Sequence, residues 1–380
     1  MNILIAPNAF KNSLNANDAA FAIQQGLALS SLDCTSTCFP IADGGDGTGS
    51  LIIEKCGGKV IEKEVHDPLG RKIKASFGLI DKGQTAVIEM ADASGLRLLN
   101  KGELDPLKAS SYGTGELVKF ALDTGVNKII IAMGGSATVD GGCGILSALG
   151  VSFLNDSGES LPANPKGLAG MVGVDASALD KRILSCEIVI LCDVDNELLG
   201  LCGAAHVFGP QKGATPEAAE LLDDFLKNFA AISSRQTGTD MAGIKHSGTA
   251  GGAAAGLHAW LNAKLVNGID YFLSLTDFNE ALKNCDLLIT GEGSIDKQTL
   301  QGKGPFGVAV KAKNANVPVI GVAGKIPLGH DEELSKYFDV LMPINNEPGY
   351  IATAMKNTRE NLIRTGKMIG DLIALDNGAG

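Results

Sequence analysis

The stretch Cys285-Asp286-Leu287-Leu288-Ile289-Thr290-Gly291-Glu292-Gly293-Ser294-Ile295-Asp296-Lys297-Gln298-Thr299 decides how the chain is read. Its first six residues are an apolar run of strand length and read as a short buried strand. Gly291 and Gly293 then let the backbone turn and let another group come close. Glu292, Asp296, Lys297 and Gln298 crowd into that turn. In an open parallel sheet ligands bind beyond the carboxyl ends of strands, so acids and a lysine here suggest a site. A plain strand-to-helix loop with solvated charges would explain the same residues. Other turns of the same kind tip the balance towards a site.

At the N-terminus, Asn2-Ile3-Leu4-Ile5-Ala6-Pro7 is a similar short strand, followed by the loop Lys11-Asn12-Ser13-Leu14. Lys11 there is placed to meet a phosphate or carboxylate, unless it is simply a solvated loop lysine. Asn17-Asp18 caps a helix with Ala20, Ile23 and Leu27 on one face. Asp43-Gly44-Gly45-Asp46-Gly47-Thr48 sets two carboxylates among three glycines. That makes a poor helix and suits a metal ion or a hydroxyl about to lose its proton. A helix N-terminus, with Asp46 at the positive end of the dipole, is compatible with this. Downstream of the opening stretch come a helix over 307–313, strands over 317–324 and 340–343, and a final helix from about Tyr350 to Ile373. Strand and helix thus alternate at both ends of the chain. The expectation is a Rossmann/flavodoxin-like parallel α/β domain built from residues 1–58 and 285–380.

Residues 59–284 read as an inserted mixed α/β domain, with the active-site cleft between the two. Val60 to His66 and Lys72 to Leu79 alternate about the turn Asp67-Pro68-Leu69-Gly70, and Gln84 to Met90 continues in strand style, which is antiparallel signal. His66 on that segment reads as structural. Ser110 to Leu117 opens a helix whose hydroxyls and glycines could bind an anion. The strand Lys128 to Met133 runs into Gly134-Gly135-Ser136-Ala137-Thr138-Val139-Asp140-Gly141-Gly142, a turn able to cradle phosphates through backbone N–H groups. Glu187 to Cys192 is a strand ending in Asp193, a common place to hold magnesium. Lys212 sits on a loop from which it could reach a phosphate. Thr215-Pro216 starts a helix, with Thr as cap and Pro at the first helical position. Gly248 to Leu257 is either a close-packed helix or the backbone wall of a nucleotide pocket.

Composition narrows the classes. A length of 380 residues favours two domains. The net charge of −11 and an aromatic content of 5% argue against nucleic acid and against an anionic membrane. No apolar run approaches the length of a membrane span. The eight scattered cysteines show no zinc-site spacing and suit a reducing cytoplasm. With no secretion signal at the N-terminus, the expected location is cytoplasmic. The sequence is also compatible with a homo-oligomer.

The chain contains no P-loop, no protein-kinase signature and no nucleophile elbow. Glycine turns with hydroxyls, acids at strand ends and lysines at loop tips are the parts of phosphoryl transfer. The ordered set 11–14, 42–48, 111–117, Gly134 to Gly142, 192–194, Phe208 to Ala214 and Ile289 to Thr299 resembles the bacterial glycerate kinase family, which makes 2-phosphoglycerate. The resemblance runs from the first strand to about Gly324. It implies phosphorylation of D-glycerate with ATP as co-substrate and Mg2+, in a two-domain α/β enzyme unrelated to P-loop kinases. Val139, where the family often has Asn, and Asp195-Asn196-Glu197 depart from its pattern. The roles expected from the residues themselves are as follows. Asp46, Asp296, Lys297 and Glu292 are the catalytic set, with the base left open between Asp46 and Asp296. Lys11, Ser13 and Asp43 take the acid substrate. Gly134, Gly135, Ser136, Thr138 and Lys212 hold ATP, and Asp193 is the first choice for magnesium. Two rival readings are a kinase for another small hydroxy acid and a non-catalytic sensor of a sugar acid and nucleotide.

Overall fold

A computed structural model describes residues 1–346 and 350–377. Within them the strands, in chain order, are β1 (Asn2–Ile5), β2 (Thr35–Cys38), β3 (Lys59–His66), β4 (Lys72–Ile80), β5 (Thr85–Glu89), β6 (Lys128–Ala132), β7 (Ser152–Leu154), β8 (Gly173–Asp175), β9 (Glu187–Cys192), β10 (Lys264–Asn267), β11 (Leu287–Ser294), β12 (Val319–Lys325) and β13 (Val340–Pro343). The chain is α/β and divides into two units, Met1–Asp43 with Ile269–Gly380, and Gly44–Gly268. Residues 44–58 and 269–284 therefore group with the opposite unit from that expected. The Thr48–Lys55 helix packs on β4 and β5, which draws it into the middle unit.

The first unit is a five-stranded sheet in the order β13-β12-β11-β1-β2, parallel throughout. From β1 the chain steps one way to β2, and from β11 it steps the other way to β12 and β13. The β1/β11 pair is therefore the switch point, the place where open parallel sheets bind their ligands. Ile3, Ile5, Leu287, Ile289 and Val322 bury their side chains against Ile23, Leu27, Leu362 and Ile369 of the covering helices. Each such burial stabilises by about 1.5–3 kcal/mol relative to exposure. The helices Ala16–Ala28 and Thr358–Asn377 touch backbone to backbone. A Cβ on Gly26 would lie 2.1 Å from the Ile363 carbonyl oxygen, and one on Gly366 would lie 2.4 Å from that of Ile23. Only glycine allows that approach, and it fastens the N-terminal helix to the C-terminal one. Asn15, rather than Asn17 or Asp18, caps the first helix, its side chain accepting from Asp18 N. The final helical stretch is two helices, Ile351–Lys356 and Thr358–Asn377.

The second unit is a six-stranded mixed sheet in the order β10-β9-β6-β5-β4-β3. The β3-β4-β5 part is antiparallel, as the alternation predicts, and β5, β6, β9 and β10 are parallel. β7 and β8 pair separately. Thr215 caps the Pro216–Thr237 helix by accepting from Ala218 N. The small-residue run resolves into turns and a close-packed helix, Ala253–Leu261, where a Cβ on Gly256 would meet the Gly141 carbonyl at 2.0 Å. No helix among the described residues is long and apolar enough to cross a membrane.

Candidate active site

In the first unit the switch point gathers Lys11, Asp43 and Glu292. Glu292 lies in β11 and is only 8% exposed. Burial pushes its carboxyl up to about 7; Lys303 and Lys11 and a hydrogen bond from Thr299 oppose the rise, and Asp43 adds to it. The Thr299 hydroxyl donates to Glu292 Oε1 at 3.0 Å. Asn8, just past β1, donates to Asp43 Oδ2 at 2.8 Å, and Gly304 N–H donates to the same oxygen at 3.3 Å. Asn8 and Lys303 carry no signal of their own in the sequence. They are found only because β1 and the start of the Gly304–Asn314 helix meet at β11.

Three expected residues do something else in this unit. Asp296 accepts from Gln298 N at 2.9 Å and from the Ser294 hydroxyl at 3.2 Å, so both its oxygens are engaged in shaping their own turn. The Lys297 side chain is 73% exposed, with its Nζ 4.0 Å from Asp331. Ser13 Oγ lies 2.6 Å from Thr358 Oγ1 and against the Met355 carbonyl, tying its loop to the C-terminal helices.

The second unit brings the two glycine turns together. Gly134 N–H donates to the Gly44 carbonyl at 3.0 Å, and a Cβ on Gly134 would fall 2.3 Å from Gly45. One on Gly135 would lie 3.2 Å from the Asp46 carboxyl carbon. Lys212, 3% exposed, donates to Ser136 Oγ at 2.9 Å and to the Thr138 carbonyl at 2.7 Å. Burial pushes its amine down to about 7, against the pull of Asp140 and Asp193. The fully buried Thr138 hydroxyl has no hydrogen-bond partner among the described residues.

The 110–117 segment already has an anion, and it is internal. Asp140, fully buried, accepts from Ser111 N and Ser111 Oγ at 2.7 Å each, from Gly142 N at 3.0 Å and from Gly144 N at 3.2 Å. These hydroxyl and N–H groups fix the turn rather than facing outward. His66, as expected, is structural, with Nδ1 3.0 Å from Glu116.

Sequence reasoning missed Arg97, Glu89 and Asp92. Arg97 donates through Nη1 to Asp46 at 2.6 Å and through Nη2 to Asp92. Its segment runs beside the glycine turn, with Leu96 N–H on the Gly135 carbonyl at 2.9 Å. Glu89 ends β5 and is 3% exposed. It lies near the end of the strand-like run Gln84 to Met90, which gives no sign of what its carboxyl meets. The sheet buries it.

No cluster of three or more acids, histidines and cysteines suited to a metal occurs among the described residues. Magnesium needs only one or two carboxylates beside phosphate and water oxygens. Asp140 is taken up by four donors, whereas partly exposed Asp193, just beyond β9, is a carboxylate of the kind such an ion uses.

A buried carboxyl and a lysine-backed glycine turn are parts that phosphoryl transfer uses, and the class of protein they suit is a phosphotransferase. The sequence profile of the Glycerate kinase family matches residues 3–374, and the chain belongs to that family. It is 42% identical over 374 residues to the glycerate kinase of Haemophilus influenzae, covering 98% of this chain and 99% of the relative. It is 39% identical over 379 residues to the glycerate 2-kinase of Escherichia coli, covering 99% and 98%. A crystal structure described as that of a glycerate kinase 2 from Salmonella typhimurium LT2 superposes with a TM-score of 0.82 at 41% identity, over 100% of this chain and 99% of that one.

Proposed function

We propose that this protein transfers the γ-phosphoryl group of ATP to the 2-hydroxyl of D-glycerate. The observation that carries the reading is the end-to-end likeness to a protein named glycerate 2-kinase. Glu292 supports it chemically. A base works best when its pKa lies near the working pH, and burial brings this carboxyl to about 7. In this reading Glu292 takes the hydroxyl proton as the substrate oxygen bonds to the γ-phosphorus. The bond from that phosphorus to the β–γ bridging oxygen breaks, and ADP leaves. Asp296, with both oxygens engaged, shapes the turn that presents Glu292. Lys11 and Lys303 meet the substrate carboxylate, and Asp43 orients Asn8 and the start of the Gly304–Asn314 helix.

The turn Gly134, Gly135, Ser136 and Thr138 takes the ATP phosphates, with Lys212 behind it and Arg97, aimed by Asp46, in front. Asp193 would hold magnesium, which when bound neutralises triphosphate charge. Phosphorus NMR of the product formed from ATP and D-glycerate tests the whole reading. A 2-phosphoglycerate signal is expected. A 3-phosphoglycerate signal or no turnover would refute it, and turnover of another hydroxy acid alone would move the substrate but keep the chemistry.

A further inference from the structure

We propose that Glu89 is a positioning residue that hydrogen-bonds Asp46 and through it fixes Arg97 at the Gly134–Gly135 turn. The inference rests on the reading above that this turn and Arg97 serve the ATP phosphates. Glu89 stands at the carboxyl end of β5 and reaches under the 43–47 turn. Gly47 N–H donates to its Oε1, and Ser50 N–H approaches its Oε2 at 3.4 Å. Gly47 directly follows Asp46, so this grip brings the Asp46 carboxyl close enough to the Glu89 carboxyl to interact with it. A Cβ on Gly49 would sit 3.1 Å from both Glu89 Cβ and Oε2, so the helix start is shaped to admit this side chain. Asp46 in turn accepts from Arg97, and Asp92 holds the other arm of the same guanidinium. Glu89, Asp46 and Arg97 thus form a continuous line from the sheet to the Gly134–Gly135 turn.

Two carboxyls in hydrogen-bond contact need one proton between them. Glu89 is the buried partner and Asp46 the half-exposed one facing Arg97, so the proton belongs on Glu89. Burial first, then Asp46 and Asp92, push Glu89 up to about 8, while Gly47 N–H opposes. The charged or titratable groups around it are Asp46 from the glycine turn, Asp92 and Arg97 from the segment after β5, and Glu54 across a shared cavity of about 260 Å³. Ser76 of β4 completes that wall through Asp92. Such a cavity admits water, through which Glu89 exchanges its proton. Once ionised, Glu89 faces Asp46 as a like charge, and the hold on Arg97 is lost.

A purely structural role gives the opposite sign. If Glu89 only caps the Thr48–Lys55 helix, ionisation strengthens its pull on the N–H groups at the positive dipole end. The test is the KM for ATP measured from pH 7 to pH 9 in the wild type, Glu89→Gln and Arg97→Met. The wild-type KM should rise about tenfold across that range, following the fraction of Glu89 still protonated. Glu89→Gln, whose amide donates to Asp46 at every pH, should lose that rise, while limbs from other groups persist in both proteins. Asp46→Asn, whose amide can donate to ionised Glu89, should lose it too. Equal pH dependence in the wild type and Glu89→Gln would overturn the role of Glu89. An unchanged KM for ATP in Arg97→Met would instead overturn the phosphate reading on which it stands. Should Glu89→Gln fail to fold, the Asp46→Asn profile decides alone.

Discussion

Two buried glutamates occupy the carboxyl-end regions of strands in the two sheets, and their surroundings give them different work. Glu292 has lysines and a threonine hydroxyl around it, and one carboxylate, Asp43, near by. Glu89 has Asp46 and Asp92 around it and two backbone N–H groups on it. Burial raises both. Burial pushes Glu292 up to about 7 beside cations that can hold a substrate acid, so it suits proton transfer. Burial first, and then the neighbouring Asp46 carboxylate, push Glu89 up to about 8, so it suits holding a neighbour. In the proposed reading, similar burial with unlike neighbours separates a reacting group from a supporting one.

The sharpest way to break that contrast is Glu292→Gln. It should lower kcat by about 10²- to 10⁴-fold, the range for loss of a general base, with little change in the KM for glycerate. Steady-state kinetics decide, and a kcat within tenfold of wild type would remove Glu292 from the chemistry. Lys212→Met is expected to act on the nucleotide side, raising the KM for ATP about tenfold through loss of the Nζ contacts to Ser136 and Thr138. An unchanged value would leave Lys212 a core residue only.

The pH profile sharpens the comparison from the acid side. The working form of Glu292 is ionised, so kcat/KM should climb as pH rises through about 7 and fall about tenfold per pH unit below it. Asp43 is a nearby negative charge that raises Glu292, so Asp43→Asn should move the climb to lower pH. A climb that stays in place in Asp43→Asn, measured over pH 5 to 8, would separate the two carboxyls. The smallest effect is reserved for Lys297→Ala. Its exposed side chain lies 4.0 Å from Asp331, and pairs of that kind contribute little. Turnover within about twofold of wild type is expected, and a tenfold loss would return Lys297 to the catalytic set.

Patterns that depend on local order were readable in the chain itself. The apolar runs of strand length, the β3–β4 alternation about Asp67 to Gly70 and the Thr215-Pro216 helix start are set by side-chain period and backbone preference within a few residues. The motif carrying Glu292 was visible as an acid between two glycines after an apolar run, and other turns of the same kind tipped its reading from a plain loop to a site. What a polar side chain meets was decided by tertiary structure. Asp140 meets the 110–117 helix start, Ser13 meets the C-terminal helices, and Arg97 meets Asp46 across 51 residues of sequence. Glu89 shows why. Its place at the end of a strand says only which face it takes. Whether that face is covered depends on the Thr48–Lys55 helix and the 43–47 turn folding over β5. Desolvation and shared protons depend on distances between segments far apart in the chain, and a linear pattern carries no such distances.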